Sequence, residues 1–74
     1  PLTEVKLSAF ECFEDGETVD ALALLNKGLI RDCKYGVKVL SNGTLTKKLT
    51  IKAAAFSGSA KAKIEEAGGK AEVV

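Results

Sequence analysis

Histidine is missing from this chain, as are methionine and tryptophan. Without histidine the usual general base near neutral pH is gone, and with it the Ser-His and Cys-His nucleophile pairs. Only two cysteines occur, Cys12 and Cys33, in no CxxC spacing, and two thiols cannot complete a tetrahedral zinc site. They are expected as small, reduced core residues, with one disulfide as the alternative. No phosphate loop, dinucleotide fingerprint or paired-acid arrangement is present, so neither an enzyme nor a bound cofactor or small-molecule substrate is expected. The longest apolar run, Ala21 to Leu25, is far too short to span a bilayer. No arginine-rich or apolar leader marks secretion, and no membrane partner is expected. Aromatics are few: Phe10, Phe13, Tyr35 and Phe56 lie scattered among apolar residues, which points to core positions and not to a base-stacking platform. The lack of methionine and the start at Pro1 are those expected of a piece cut from a longer protein.

Seventy-four residues suffice for one small domain, which buries only about 60% of its unfolded surface. Hydrophobic residues at 46% and charged residues at 28% fit an ordinary globular chain. The net charge of +1 hides an asymmetry. Residues 1–33 hold Lys6, Lys27 and Arg31 against Glu4, Glu11, Glu14, Asp15, Glu17, Asp20 and Asp32. Residues 34–74 hold eight lysines against Glu65, Glu66 and Glu72. A basic half of this kind points to a polyanion contact on one face.

The segment EVKLSAF alternates Val5, Leu7 and Ala9 with polar residues, the pattern of a half-buried strand. A turn at Asp15 and Gly16 then leads to Thr18 as an expected helix cap. The helix is expected from Val19 to Lys27, with Val19, Leu22 and Leu24 or Leu25 inward and Gly28 as its left-handed stop. Leu29 and Ile30 are expected back in the core. Farther on, β-branched residues alternate on both sides of Asn42-Gly43, a dipeptide that accepts the positive φ of a tight turn. Residues 37–41 and 49–54 are therefore expected as strands joined by a compact connection, with Leu49, Ile51 and Ala53 on the core side.

In AFSGSAKAKIEEAGGK, Ser57 or Ser59 can cap a helix over residues 58–67, and Gly68 can end it. Ala60, Ile64 and Ala67 make a narrow apolar stripe along that helix. KAEVV follows as a last short strand. The fold class is thus α/β: a small single domain of short strands and two main helices in irregular strand-helix succession. A strand, helix and glycine stop also occur twice, about 40 residues apart, as a faint internal echo.

From Val37 to Val74 the chain closely resembles the carboxy-terminal end of the bacterial large-subunit ribosomal protein fifteen family. The likeness rests on Lys38 before Val39-Leu40, on Gly43, Leu45, Leu49-Thr50-Ile51-Lys52, Phe56-Ser57, Ala60, Ile64 and Gly68-Gly69. A looser likeness reaches back through FEDGETVDALALLNKGLIRDCKYGVKVL and extends it over nearly the whole chain. The resemblance implies a structural constituent of the large subunit that binds large-subunit ribosomal RNA beside neighbouring ribosomal proteins, in the cytoplasm. It also implies a basic, glycine-rich amino-terminal extension, which this chain does not contain, and an irregular strand-helix fold. Members often carry histidine at the position of Ala54 and lysine at that of Gly58, and contacts made by those side chains are absent here.

The candidate contact surface joins the amino end of the 58–67 helix, where free N-H groups favour an anion, to nearby lysines. Ser57 and Ser59 would orient hydrogen bonds, and Lys52, Lys61 and Lys63 would supply charge. Lys47 and Lys48, on a turn without apolar duty, complete the set. The competing reading is that Ser57 only caps its own helix. A second function is also open: the acidic first half, through Glu14, Asp15 and Glu17, could dock a basic neighbouring protein.

Overall fold

The computed structural model covers residues 1–74. Six short strands form: β1 (Thr3–Lys6), β2 (Thr18–Val19), β3 (Val37–Leu40), β4 (Thr50–Ala53), β5 (Ala55–Phe56) and β6 (Lys70–Val73). Two α-helices, α1 (Ala21–Asn26) and α2 (Gly58–Glu66), and a 3-10 helix (Leu7–Cys12) lie between them. The odd-numbered strands make one sheet, in the order β1-β3-β5, and the even-numbered strands another, β2-β4-β6. Every pairing is parallel.

This alternation makes the chain a coil of three turns, each running from the first sheet through a linker to the second. The linkers are the 3-10 helix, the loop 41–49 and α2. Because the strands are parallel, all three linkers leave from the carboxyl ends of the first sheet. The connections between turns lie at the other pole: α1 with residues 27–36, then Ala54 alone between β4 and β5. The α/β expectation holds. The echo at 40 residues corresponds to a two-residue strand, a one-residue cap and a helix in β2-Asp20-α1 and again in β5-Ser57-α2.

All 14 buried residues are apolar, among them Leu49, Ile51 and Ala53 on β4, as their alternation requires. Ala60 and Ile64 fix the inner face of α2, and Gly68 ends it with φ +90°. Several elements differ from the expectations. The first strand stops at Lys6, because Leu7 and Phe10, both fully buried, are three residues apart and suit the three-residue turn of a 3-10 helix. Thr18 and Val19 belong to β2, so Asp20 caps α1 in place of Thr18. Leu24 is the buried residue of α1, while Leu22 stands 63% exposed. Leu29 is also exposed, although Ile30 does pack on the core.

Gly43 has the expected positive φ, +88°, yet β3 and β4 lie in different sheets and no hairpin forms. The residue is small for a second reason: a Cβ there would stand 2.5 Å from that of Ser8, whose amide donates to the Asn42 carbonyl at 3.2 Å. Cys12 is exposed and Cys33 half-buried, both as free thiols. Phe10 and Phe13 are core, Phe56 packs against it, and Tyr35 stands 60% exposed.

Candidate nucleic-acid interface

The amino end of α2 is fixed from both sides. Ser57 sits at φ −67° and ψ 153°, and its hydroxyl oxygen accepts a hydrogen bond from the Ala60 amide at 3.2 Å. Its own amide donates to the Val39 carbonyl at 3.0 Å, tying the cap to β3. Ser57 is therefore the cap, and Ser59 is left exposed in the first turn beside Lys61. The start of α1 is built alike but charged otherwise: the Ala23 amide donates to the Asp20 carboxylate at 2.9 Å. An ionised cap already answers the positive end of the helix, whereas a serine cap leaves it uncompensated.

The loop 41–49 lies between the 3-10 helix and α2 and is gripped by both. From one side the Glu11 carboxylate accepts from the Thr46 amide and from its hydroxyl, at 3.0 and 2.8 Å for the two oxygens. These bonds, the amide's first and then the hydroxyl's, with smaller help from Lys47, hold the Glu11 carboxyl below the usual carboxylate range. From the other side the Lys63 ammonium donates to the carbonyls of Ser41 and Gly43, at 2.9 and 3.2 Å. Between loop and helix lies an open cleft of about 270 Å³ walled by Gly43, Thr44, Leu45, Lys63, Glu66 and Ala67.

Lys48 is held through its backbone: its amide donates to Asp15 at 2.8 Å, and its carbonyl accepts from the Gly16 amide at 2.7 Å. Its aliphatic stem runs past Gly68, so the ammonium is carried out along the end of α2. Lys47 is half-buried and Lys61 exposed. Lys47, Lys48, Ser57, Ser59, Lys61 and Lys63 thus all belong to the linker layer. Lys52 does not. It lines a separate groove of about 240 Å³ at the opposite pole, with Asp20, Leu22, Gly36, Ala54 and Val74.

Sequence reasoning missed the acidic grips. Glu11, Asp15, Glu17, Asp20 and Asp32 all accept from backbone amides, Glu17 from Glu14 at 2.6 Å and Asp32 from Lys34 at 3.5 Å. Asp15 beside Gly16 signals a turn, but nothing in the periodicity shows that Glu11 reaches a residue 35 positions away.

Residues 4–72 match the model of the ribosomal protein family that groups 50S-L15 with 50S-L18e and a 60S counterpart. The chain belongs to this ribosomal family. A relative from Agathobacter rectalis, "Large ribosomal subunit protein uL15", is 49% identical over 73 residues, which is 99% of this chain and 50% of that protein. The chain thus spans about half the length of this curated relative. The two positions at which the resemblance implies other residues, Gly58 and Ala54, fall in contrasting places. At Gly58 an added Cβ would meet nothing within 4 Å, so a longer side chain has room there. Ala54 instead sits where the chain passes between sheets, its methyl group facing Gly36.

Proposed function

We propose that this chain is a structural, RNA-binding part of the large ribosomal subunit, and that it contacts ribosomal RNA through the linker layer. The contact is to phosphates: Lys47, Lys48 and Lys61 supply charge, Lys63 holds the loop 41–49 against α2 while adding its own, and the Ser57-capped helix start receives an anion beside Ser59. The observation that carries this reading is the unequal use of charge within a ribosomal family member. Carboxylates of the first half are turned onto backbone amides, while most ammonium groups of the second half stay free for a ligand. Lys52, at the opposite pole, belongs to a different contact. Placement in the ribosome, and so in the cytoplasm, and contact with neighbouring ribosomal proteins belong to the same proposal, as does the view that the chain is the carboxy-terminal domain of a longer protein. No chemical step is involved.

The acidic-docking alternative is not favoured, since Asp15 and Glu17 already hold backbone amides. A binding titration against large-subunit ribosomal RNA tests the choice. Lys47→Gln with Lys48→Glu and Lys61→Glu is expected to weaken binding at least about tenfold near 0.1 M salt. Glutamine at 47 removes charge without placing a second carboxylate beside Glu11. Unchanged affinity in that variant would refute the proposed face.

A further inference from the structure

Tyr35 is the largest side chain that the fold holds out into solvent, and the way it is held is specific. The Gly36 amide donates to the Cys33 carbonyl at 3.0 Å, closing a turn whose corners are Lys34 and Tyr35. The turn is anchored at both ends. Cys33 packs against the core, and the amide and hydroxyl of Thr3 donate to the carbonyls of Gly36 and Asp32, at 2.8 and 3.3 Å. Gly36 has φ +97°, and a Cβ there would lie 2.9 Å from that of Ala54, so the end of the turn is built for glycine and packs closely against Ala54. At its tip the Lys34 ammonium lies 5.6 Å from the centre of the Tyr35 ring. The same Gly36 forms a wall of the groove that contains Lys52.

We infer that this turn is a second RNA contact, at the pole opposite the linker layer, which takes an unpaired nucleobase. The open face of Tyr35 stacks the base, Lys34 meets the adjoining phosphate, and Lys52 in the neighbouring groove meets the next. An aromatic ring fixed by its backbone loses little freedom on stacking, and an adjacent cation is the common companion of such a ring in single-strand sites. Duplex RNA keeps its bases stacked on one another and offers the turn nothing but phosphate. The inference rests on the proposed RNA-binding role but concerns different residues, so the two can fail separately.

Tyr35 is the sole tyrosine in a chain without tryptophan, which makes its fluorescence a report on this site alone. The 74-residue chain is titrated with an unlabelled single-stranded octanucleotide, with duplex RNA of equal length and with an acidic peptide. Single-stranded RNA is expected to quench the tyrosine saturably, and duplex RNA to bind with little quenching. Tyr35→Ala should weaken single-strand binding about fivefold or more, while Tyr35→Phe, which retains the ring, stays within about twofold of the parent. The Lys47, Lys48 and Lys61 variant should lose duplex affinity yet keep the quench. Thermal melting of Tyr35→Ala, expected to match the parent, separates an effect on stacking from an effect on folding. Single-strand binding without quenching, or unaffected by Tyr35→Ala, overturns the inference and leaves the linker-layer proposal standing. Quenching by the acidic peptide alone also overturns it, in favour of a protein partner.

Discussion

In residues 1–33 the carboxylates of Glu11, Asp15, Glu17 and Asp20 accept hydrogen bonds from backbone amides, whereas among the lysines of residues 34–74 only Lys63 turns its ammonium onto protein carbonyls. The starts of the helices repeat the contrast, with an ionised cap at Asp20 and a neutral one at Ser57. A near-neutral total charge therefore coexists with a surface whose uncommitted charge is positive. Acidic residues serve as internal brackets around a small coil that has no buried polar side chains of its own. Counting charges along the sequence shows the asymmetry but not its use.

The hardest way to break this comparison is to remove the frame that both halves share. Gly69 approaches the β4 strand so closely that a Cβ would be driven onto the Leu49 carbonyl oxygen. Gly69→Ala must therefore shift backbone, and it should cost at least the roughly 1–3 kcal/mol typical of overpacking. Thermal melting followed by circular dichroism should show a broadened transition or its loss. A melting temperature equal to that of the parent would mean that the strands are not placed as described.

Changes at Ser57 sharpen the contrast between the helix starts. Ser57→Ala should cost about 1 kcal/mol by chemical denaturation, with Ser59→Ala within about 0.5 kcal/mol of the parent because only Ser57 caps. Ser57→Asp should preserve stability and weaken RNA binding, since it gives α2 the charged cap that α1 carries. If Ser57→Asp bound RNA as tightly as the parent, the neutral cap would have no part in the contact.

Glu11 predicts a smaller effect, seen in pH dependence. Its carboxyl is held below the usual range chiefly by the Thr46 amide. A lowered value in the folded state means stability that is present above the ordinary carboxylate range and is lost as pH falls through the lowered value. Unfolding measured from about pH 6 downward, at intervals of about half a unit, should show this acid loss reduced in Glu11→Gln. Parallel curves for parent and variant would show that the Thr46 grip does not favour the ionised form.

Much of α2 is legible in the chain, because its signals are local: a serine cap, an Ala60-Ile64 stripe and a glycine stop all act within one helix length. The strand character of residues 50–53, inside the expected 49–54, is legible for the same reason. Strand order is not. Every strand pairs in parallel with a partner far along the chain, as Thr3 does with Val37, and no turn signal encodes such a register. The two-residue β2 is too short to show a period, so its threonine reads as a helix cap. The apolar bulk of Tyr35 suggests a core position, but Cys33 is the residue of that turn that packs inward. Of the candidate contact residues, the six in the linker layer lie on two adjacent linkers, the loop 41–49 and α2 with its cap, while Lys52 lies at the other pole because β4 carries it past the sheet centre to the groove.

The salt dependence of binding tests the central claim most directly. Affinity for large-subunit ribosomal RNA should be measured from about 0.05 to 0.3 M salt for the parent chain and for the variant carrying Lys47→Gln, Lys48→Glu and Lys61→Glu. If these ammonium groups neutralise phosphates, the logarithmic slope of the variant should be shallower by about 2 to 3, at roughly 0.7 to 0.9 for each phosphate no longer neutralised. Equal slopes for the two proteins would contradict the account.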